Sequence, residues 1–136
     1  PPPPFFFSRR SRHTRGLRVS WARRWVYETG LSVGSTQHFY VSGTASIDCH
    51  GSVLHIGDVE KQAARLIENI SALLANGNAT LDDVRYFIVY LRDISDFNAV
   101  DAIFRKRFPN IPYVIVKAKV CRPEWLIEAE CIAEKP

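Results

Sequence analysis

The segment Trp125 to Ile132, WLIEAECI, places two carboxylates two residues apart in an otherwise apolar run. Side chains of an extended chain alternate, so Leu126, Glu128, Glu130 and Ile132 share one face and Trp125, Ile127, Ala129 and Cys131 the other. Apolar surroundings penalise the ionised form of a carboxyl, and a like charge two residues away acts in the same direction. One of the pair can therefore hold or take a proton near neutral pH, which is what a general acid or base requires. The same spacing also suits cross-strand ion pairs with Lys117, Lys119 or Arg122.

Cys121-Arg122-Pro123 stands just before this run. An arginine at a strand end, stiffened by proline, offers a forked pair of donors to a substrate carboxylate, or it forms a surface ion pair. A thiol beside a cation can be partly ionised, whereas a cysteine in an apolar strand is ordinarily a small core residue. His55-Ile56-Gly57-Asp58 has no further ligands at metal spacing, and Asp58 reads as a helix cap, so no metal and no cofactor are expected. No GxSxG, P-loop or GxGxxG occurs, which leaves serine-triad hydrolysis without support.

The elements that must carry these residues follow from periodicity. From Asp58, apolar residues at Val59, Ala63, Leu66, Ile67, Ile70, Leu73 and Leu74 recur at three- and four-residue steps and stop before Gly77, a capped amphipathic helix. Val84 to Leu91 is apolar on both alternating faces apart from Arg85, as in an interior strand covered on both sides. Phe97, Val100, Ile103, Phe104 and Phe108 return to helical spacing and end at Pro109. Tyr113–Val120 and Trp125–Ile132 read as closing strands. Earlier, Phe5–Phe7 and Leu17–Tyr27 read as two strands, Thr29–Thr36 as a loop and His38–Ser42 as a short β run. In Ser42-Gly43-Thr44, small residues let the backbone approach a ligand or a neighbouring chain closely. The order predicts an α+β fold, a mixed sheet covered on one face by two helices. Its other face is too apolar to stand in water, which implies oligomerisation or an upstream domain.

A chain of 136 residues, 46% hydrophobic, buries one core without metals or disulfides. Three cysteines without a CxxC pair suit reduced thiols and a cytoplasmic location, and no apolar run approaches the roughly 20 residues of a membrane span. Charge is uneven: residues 1–30 hold seven arginines against one acid, residues 31–136 eleven basic residues against thirteen acids. This first segment reads either as a footprint for an anionic partner or as a solvated strand or linker. With no RNA-binding signature beside it, nucleic acid is not an expected partner. The absence of methionine and the Pro1–Pro4 opening suggest a piece of a longer protein. A Pro- and Arg-rich leading segment with strands, 1–37, and a second domain, 38–136, are the expected divisions.

Taken together, Ser42-Gly43-Thr44-Ala45-Ser46, His55-Ile56-Gly57-Asp58 with Gln62, Glu68-Asn69-Ile70, Val89-Tyr90-Leu91-Arg92-Asp93 with Phe97, Phe108-Pro109 and Glu128-Ala129-Glu130 resemble the motif series of the RidA (YjgF, L-PSP endoribonuclease-like) superfamily. The resemblance spans about 95 residues, from Phe39 to Ala133. It implies a homotrimer whose sheets form a central barrel, with ligand clefts between subunits. Its deaminating members hydrolyse enamines and imines and carry a carboxylate-binding arginine after Phe-Pro, where this chain has Pro112-Tyr113-Val114-Ile115. Within the superfamily, Val120-Cys121-Arg122 and the run to Glu130 are most similar to the C-terminal domain of chorismatases, hydrolases of an enol ether.

That narrower resemblance implies Glu128 as general acid or base, Arg122 as a substrate-side cation, and Cys121 with Ala45 in the pocket wall. The substrate would be a small anionic carboxylate in a cleft that Tyr90 and Arg92 complete. An enamine or imine deaminase and a non-catalytic ligand- or RNA-binding domain are the alternatives.

Overall fold

Alternating and helical periodicities give one mixed sheet with two helices on one face in residues 28–136, the part of the chain that the computed structural model describes. The strand readings at Phe5–Phe7 and Leu17–Tyr27 lie outside the described residues. Strand β1, Glu28–Val33, and strand β2, Thr36–Ala45, form an antiparallel hairpin. Helix α1, Val59–Asn76, and strand β3, Val84–Leu91, follow. Helix α2, Phe97–Arg107, leads into β4, Tyr113–Lys117, and β5, Ile127–Lys135. The sheet order is β1-β2-β5-β3-β4, antiparallel except for the β3–β4 pair, which α2 connects.

The α1 boundaries agree with the residue pattern: Asp58 caps the N-terminus by accepting the Lys61 amide, and Gly77 ends the helix. Ala63, Leu66, Ile70, Leu73 and Leu74 face the sheet, where they meet Val41, Val89, Ala129 and Ala133. At the other end Phe104 of α2 packs edge-on against Phe87 of β3, ring centroids 5.5 Å apart, with Phe108 beside both.

Three boundaries differ from the sequence reading. Thr29–Thr36 is not a loop, because its β-compatible Thr, Leu and Val pair with Thr36–Tyr40 around a two-residue turn at Gly34-Ser35, where Gly34 takes a φ of 61°. The hairpin therefore straddles residue 37. Strand β4 ends at Lys117 rather than Val120, since the Ala118 amide still reaches the Leu91 carbonyl but the chain then turns away. Strand β5 begins at Ile127 rather than Trp125 and runs to Lys135, because the carbonyls of Trp125 and Leu126 are taken by Arg92.

Among the described residues, only one face of β3 is covered. Val84, Phe87, Val89 and Leu91 are buried, while Tyr86 lies on the open face with Tyr40, Leu31, Val33 and Val114, all of them exposed. Among the described residues, no helix is long and apolar enough to cross a membrane.

Candidate functional site

The site lies where β2, β5 and β3 run side by side. Ala45, Glu128 and Tyr90 are register partners across these strands, so they form one row on the face away from the helices. Ile127, Ala129 and Cys131 point into the core, as the alternation requires. Burial, and then the Glu130 charge, pushes the Cys131 thiol up to about 12, which keeps it protonated at neutral pH.

A β-bulge shapes the row. Between Val41 and Thr44 the β2 chain takes three steps against two from Cys131 to Ala129, leaving Ser42-Gly43 opposite Glu130. A Cβ at Gly43 would lie 2.1 Å from Glu128 Oε1, so only glycine leaves room for the carboxyl. The close approach that small residues allow here is an approach to the protein's own glutamate.

Half-buried Glu128 is held above the usual carboxylate range, first by burial and then by the Glu130 charge; the Cys121 backbone N–H that it accepts works in the opposite direction. Glu130 accepts the Tyr90 hydroxyl at 2.8 Å, and that bond, with burial, raises the Tyr90 phenol. The ion pairs with Lys117 or Lys119 open to these glutamates from sequence have no basis in the topology, because β4 borders β3 and not β5.

The loop between β4 and β5 supplies Cys121 and Arg122. Cys121 is exposed rather than a core residue. Arg122 lies over the Trp125 ring at 5.4 Å and donates to the Gly51 carbonyl at 2.9 Å, which brings the loop after β2 against the loop before β5. Arg92, placed in the cleft by resemblance, donates to the carbonyls of Trp125 at 2.7 Å and Val120 at 3.1 Å, and also to that of Arg122. In this arrangement its forked donors hold the loop.

Two buried amides that residue typing alone did not single out complete the frame. Gln62 donates to the carbonyls of His55 and Glu124 and accepts the Leu126 amide at 2.9 Å. Asn69 donates to the carbonyls of Ala45 and Ile47 at 3.0 and 3.1 Å. They stand seven residues apart, two turns, within the otherwise apolar buried stripe of α1. That placement was the available signal, because buried polar groups need partners. Among the described residues, no three His, Cys, Asp or Glu side chains converge as for a metal ion.

A larger groove of about 760 Å3 lies between α1 and α2, on the helix side of the sheet and away from Glu128.

Comparison with known proteins bears on the whole described region. The endoribonuclease L-PSP family model matches residues 24–135. A RutC family protein of Saccharolobus solfataricus is 38% identical over 111 residues, covering 80% of this chain and 86% of its own. The 3-aminoacrylate deaminase RutC of Acinetobacter baylyi is 31% identical over 96 residues, 69% of this chain and 76% of its own. Among solved structures, RidA from the Antarctic bacterium Psychrobacter sp. superposes with a TM-score of 0.66 at 27% identity, over 79% of this chain and 86% of the other. A chorismatase gives 0.70 at 23% identity over 78% of this chain but only 35% of its own, a likeness of fold. From the residue-24 start of the match to the closing strand β5, the chain belongs to the endoribonuclease L-PSP family, the RidA superfamily.

Proposed function

We propose that the protein hydrolyses an enamine or imine bearing a small carboxylate, with Glu128 as general acid and base. The observation that carries this reading is the half-buried Glu128 carboxyl, its proton affinity raised and its position fixed by Gly43 and the Cys121 N–H. The 3-aminoacrylate deaminase among its relatives supports the substrate class.

In this mechanism protonated Glu128 gives its proton to the enamine carbon, forming an iminium. The resulting carboxylate takes a proton from water as the water oxygen bonds to the iminium carbon. The carbinolamine then expels ammonia and leaves a carbonyl, so the balance is enamine plus water to carbonyl plus ammonia. Arg122, Cys121, Ala45 and Tyr90 form the cleft wall, with Arg122 as the cation nearest a substrate carboxylate. Arg92 acts from behind by holding the loop. No step calls for a metal or cofactor.

Glu128→Gln tests the reading. Ammonia release from 3-aminoacrylate or iminopyruvate should fall by about 10²–10⁴, the usual contribution of a positioned acid–base group. Unchanged release would sink it.

A second reading is favoured by Val120-Cys121-Arg122 and the chorismatase fold likeness: hydrolysis of an enol ether of chorismate type at the same glutamate. Pyruvate release from chorismate without ammonia-releasing activity would select it.

The open face of Tyr40, Tyr86, Leu31, Val33 and Val114 supports self-association into a homotrimer. Light scattering should give a mass near three times 15.5 kDa, and Tyr86→Glu should lower it. Reduced thiols at Cys49 and Cys121 suit a cytoplasmic setting.

A further inference from the structure

We infer that Tyr90 is a positioning residue for Glu128: its hydroxyl pins the Glu130 carboxyl beside Glu128, so that the two glutamates act as a coupled pair. This deepens the reading of Glu128 as acid and base and rests on it for its catalytic meaning.

The geometry is specific. Tyr90 is the register partner of Glu128, yet its hydroxyl reaches past that residue to Glu130 Oε1 at 2.8 Å, one pleat further along the same face. The residue directly opposite Glu130 on β3 is Ile88, which has no donor. On the β2 side Glu130 meets the bulge, in a depression of about 180 Å3 lined by Tyr40, Ser42 and Tyr86. Tyr90 is the group hydrogen-bonded to it there. Without that bond an acidic side chain at a half-open position turns toward water, where distance and solvent weaken its effect on a neighbour.

Among the described residues, the titratable groups beside the pair include Tyr40 from β2, Tyr86 and Tyr90 from β3, Cys131 from β5 and Cys121 from the preceding loop. Arg122 is anchored at Gly51 and Trp125. Fixing Glu130 therefore makes it the nearest ionisable neighbour on Glu128's own strand, and its charge favours a proton on Glu128.

The test is a titration of glutamate side-chain carboxyls by carbon-13 NMR in the full chain, comparing wild type, Tyr90→Phe, Glu130→Gln and the double variant. Tyr90→Phe keeps the ring and removes only the hydroxyl. Both single variants should move the Glu128 midpoint to lower pH by about half a unit or more, the scale of two charges roughly 6 Å apart in a water-like medium. The double variant should move it no further than Glu130→Gln, since the two changes remove one interaction.

A Tyr90→Phe midpoint at or above the wild-type value, with Glu130→Gln lowered, would overturn the positioning role. An unmoved midpoint in Glu130→Gln would overturn the coupling itself. Deamination supplies a separate readout: the alkaline limb of the rate profile should move down with the midpoint in Tyr90→Phe. If Glu128→Gln remains active while the titrations shift as expected, the catalytic reading fails and the coupling stands.

Discussion

Gly43 and the Glu128 carboxyl compete for one volume: a single methyl on the β2 bulge would occupy the space of Oε1, 2.1 Å away. The bulge and the glutamate are thus one feature, although 85 residues separate them in the chain.

Gly43→Ala should therefore act on activity more than on stability. The displaced atom is the far end of a flexible side chain, so the fold can yield at a cost of about 1–3 kcal/mol, while the carboxyl leaves its place by the Cys121 amide. Turnover should fall at least about tenfold, the effect expected of a misplaced catalytic group. Thermal melts beside ammonia-release assays would separate the two effects.

Stability should depend on pH through Glu128 with a definite sign. Its carboxyl binds protons more tightly folded than unfolded, so the folded chain carries more protons between the two ionisations. That contribution is fully present below the unfolded carboxylate range and is lost as pH rises through the raised folded value. Urea unfolding at a series of pH values should show it, and Glu128→Gln, which is neutral throughout, should remove that part of the slope.

Arg92→Lys should loosen the loop before β5. A lysine cannot fork to the three carbonyls of Val120, Arg122 and Trp125. A loss of at least about 2 kcal/mol is expected from charged hydrogen bonds of this kind. Hydrogen exchange should show faster exchange localised to residues 120–126.

Gln62→Leu preserves volume but leaves the Leu126 amide and the Glu124 carbonyl without their partner, the His55 carbonyl keeping the Asp58 amide, at a cost of about 1–3 kcal/mol for each group that stays buried. Denaturant unfolding would measure this, and unchanged stability would show that water replaces the amide.

Much of the fold was legible because periodicity carries it. Asp58 and Gly77 bracket α1 as their types require, and Val84–Leu91 is a strand from end to end. The β1 hairpin was missed because Gly, Ser and Thr serve turns and strands alike, and pairing with β2 decided between them. The alternation in β5 correctly placed Glu128 and Glu130 together on the open face. Their partners were not legible, since these depend on sheet order: β3 rather than β4 lies next to β5, which substitutes the Tyr90 hydroxyl for a lysine. The role of Arg92 was equally hidden, because backbone carbonyls of a loop leave no mark on residue type.

The loop that carries Cys121, Arg122 and Glu124 is fastened mainly by its main chain, through Arg92 and Gln62, with the Arg122 side chain adding one tie to the Gly51 carbonyl. Fastening of that kind separates inheritance of the scaffold from inheritance of the substrate. The exposed side chains at 121 and 124 can be exchanged one at a time while the glutamate behind them stays where it is. A lineage built on this frame can change what it acts on by drift in a few exposed positions, without passing through an unfolded intermediate sequence.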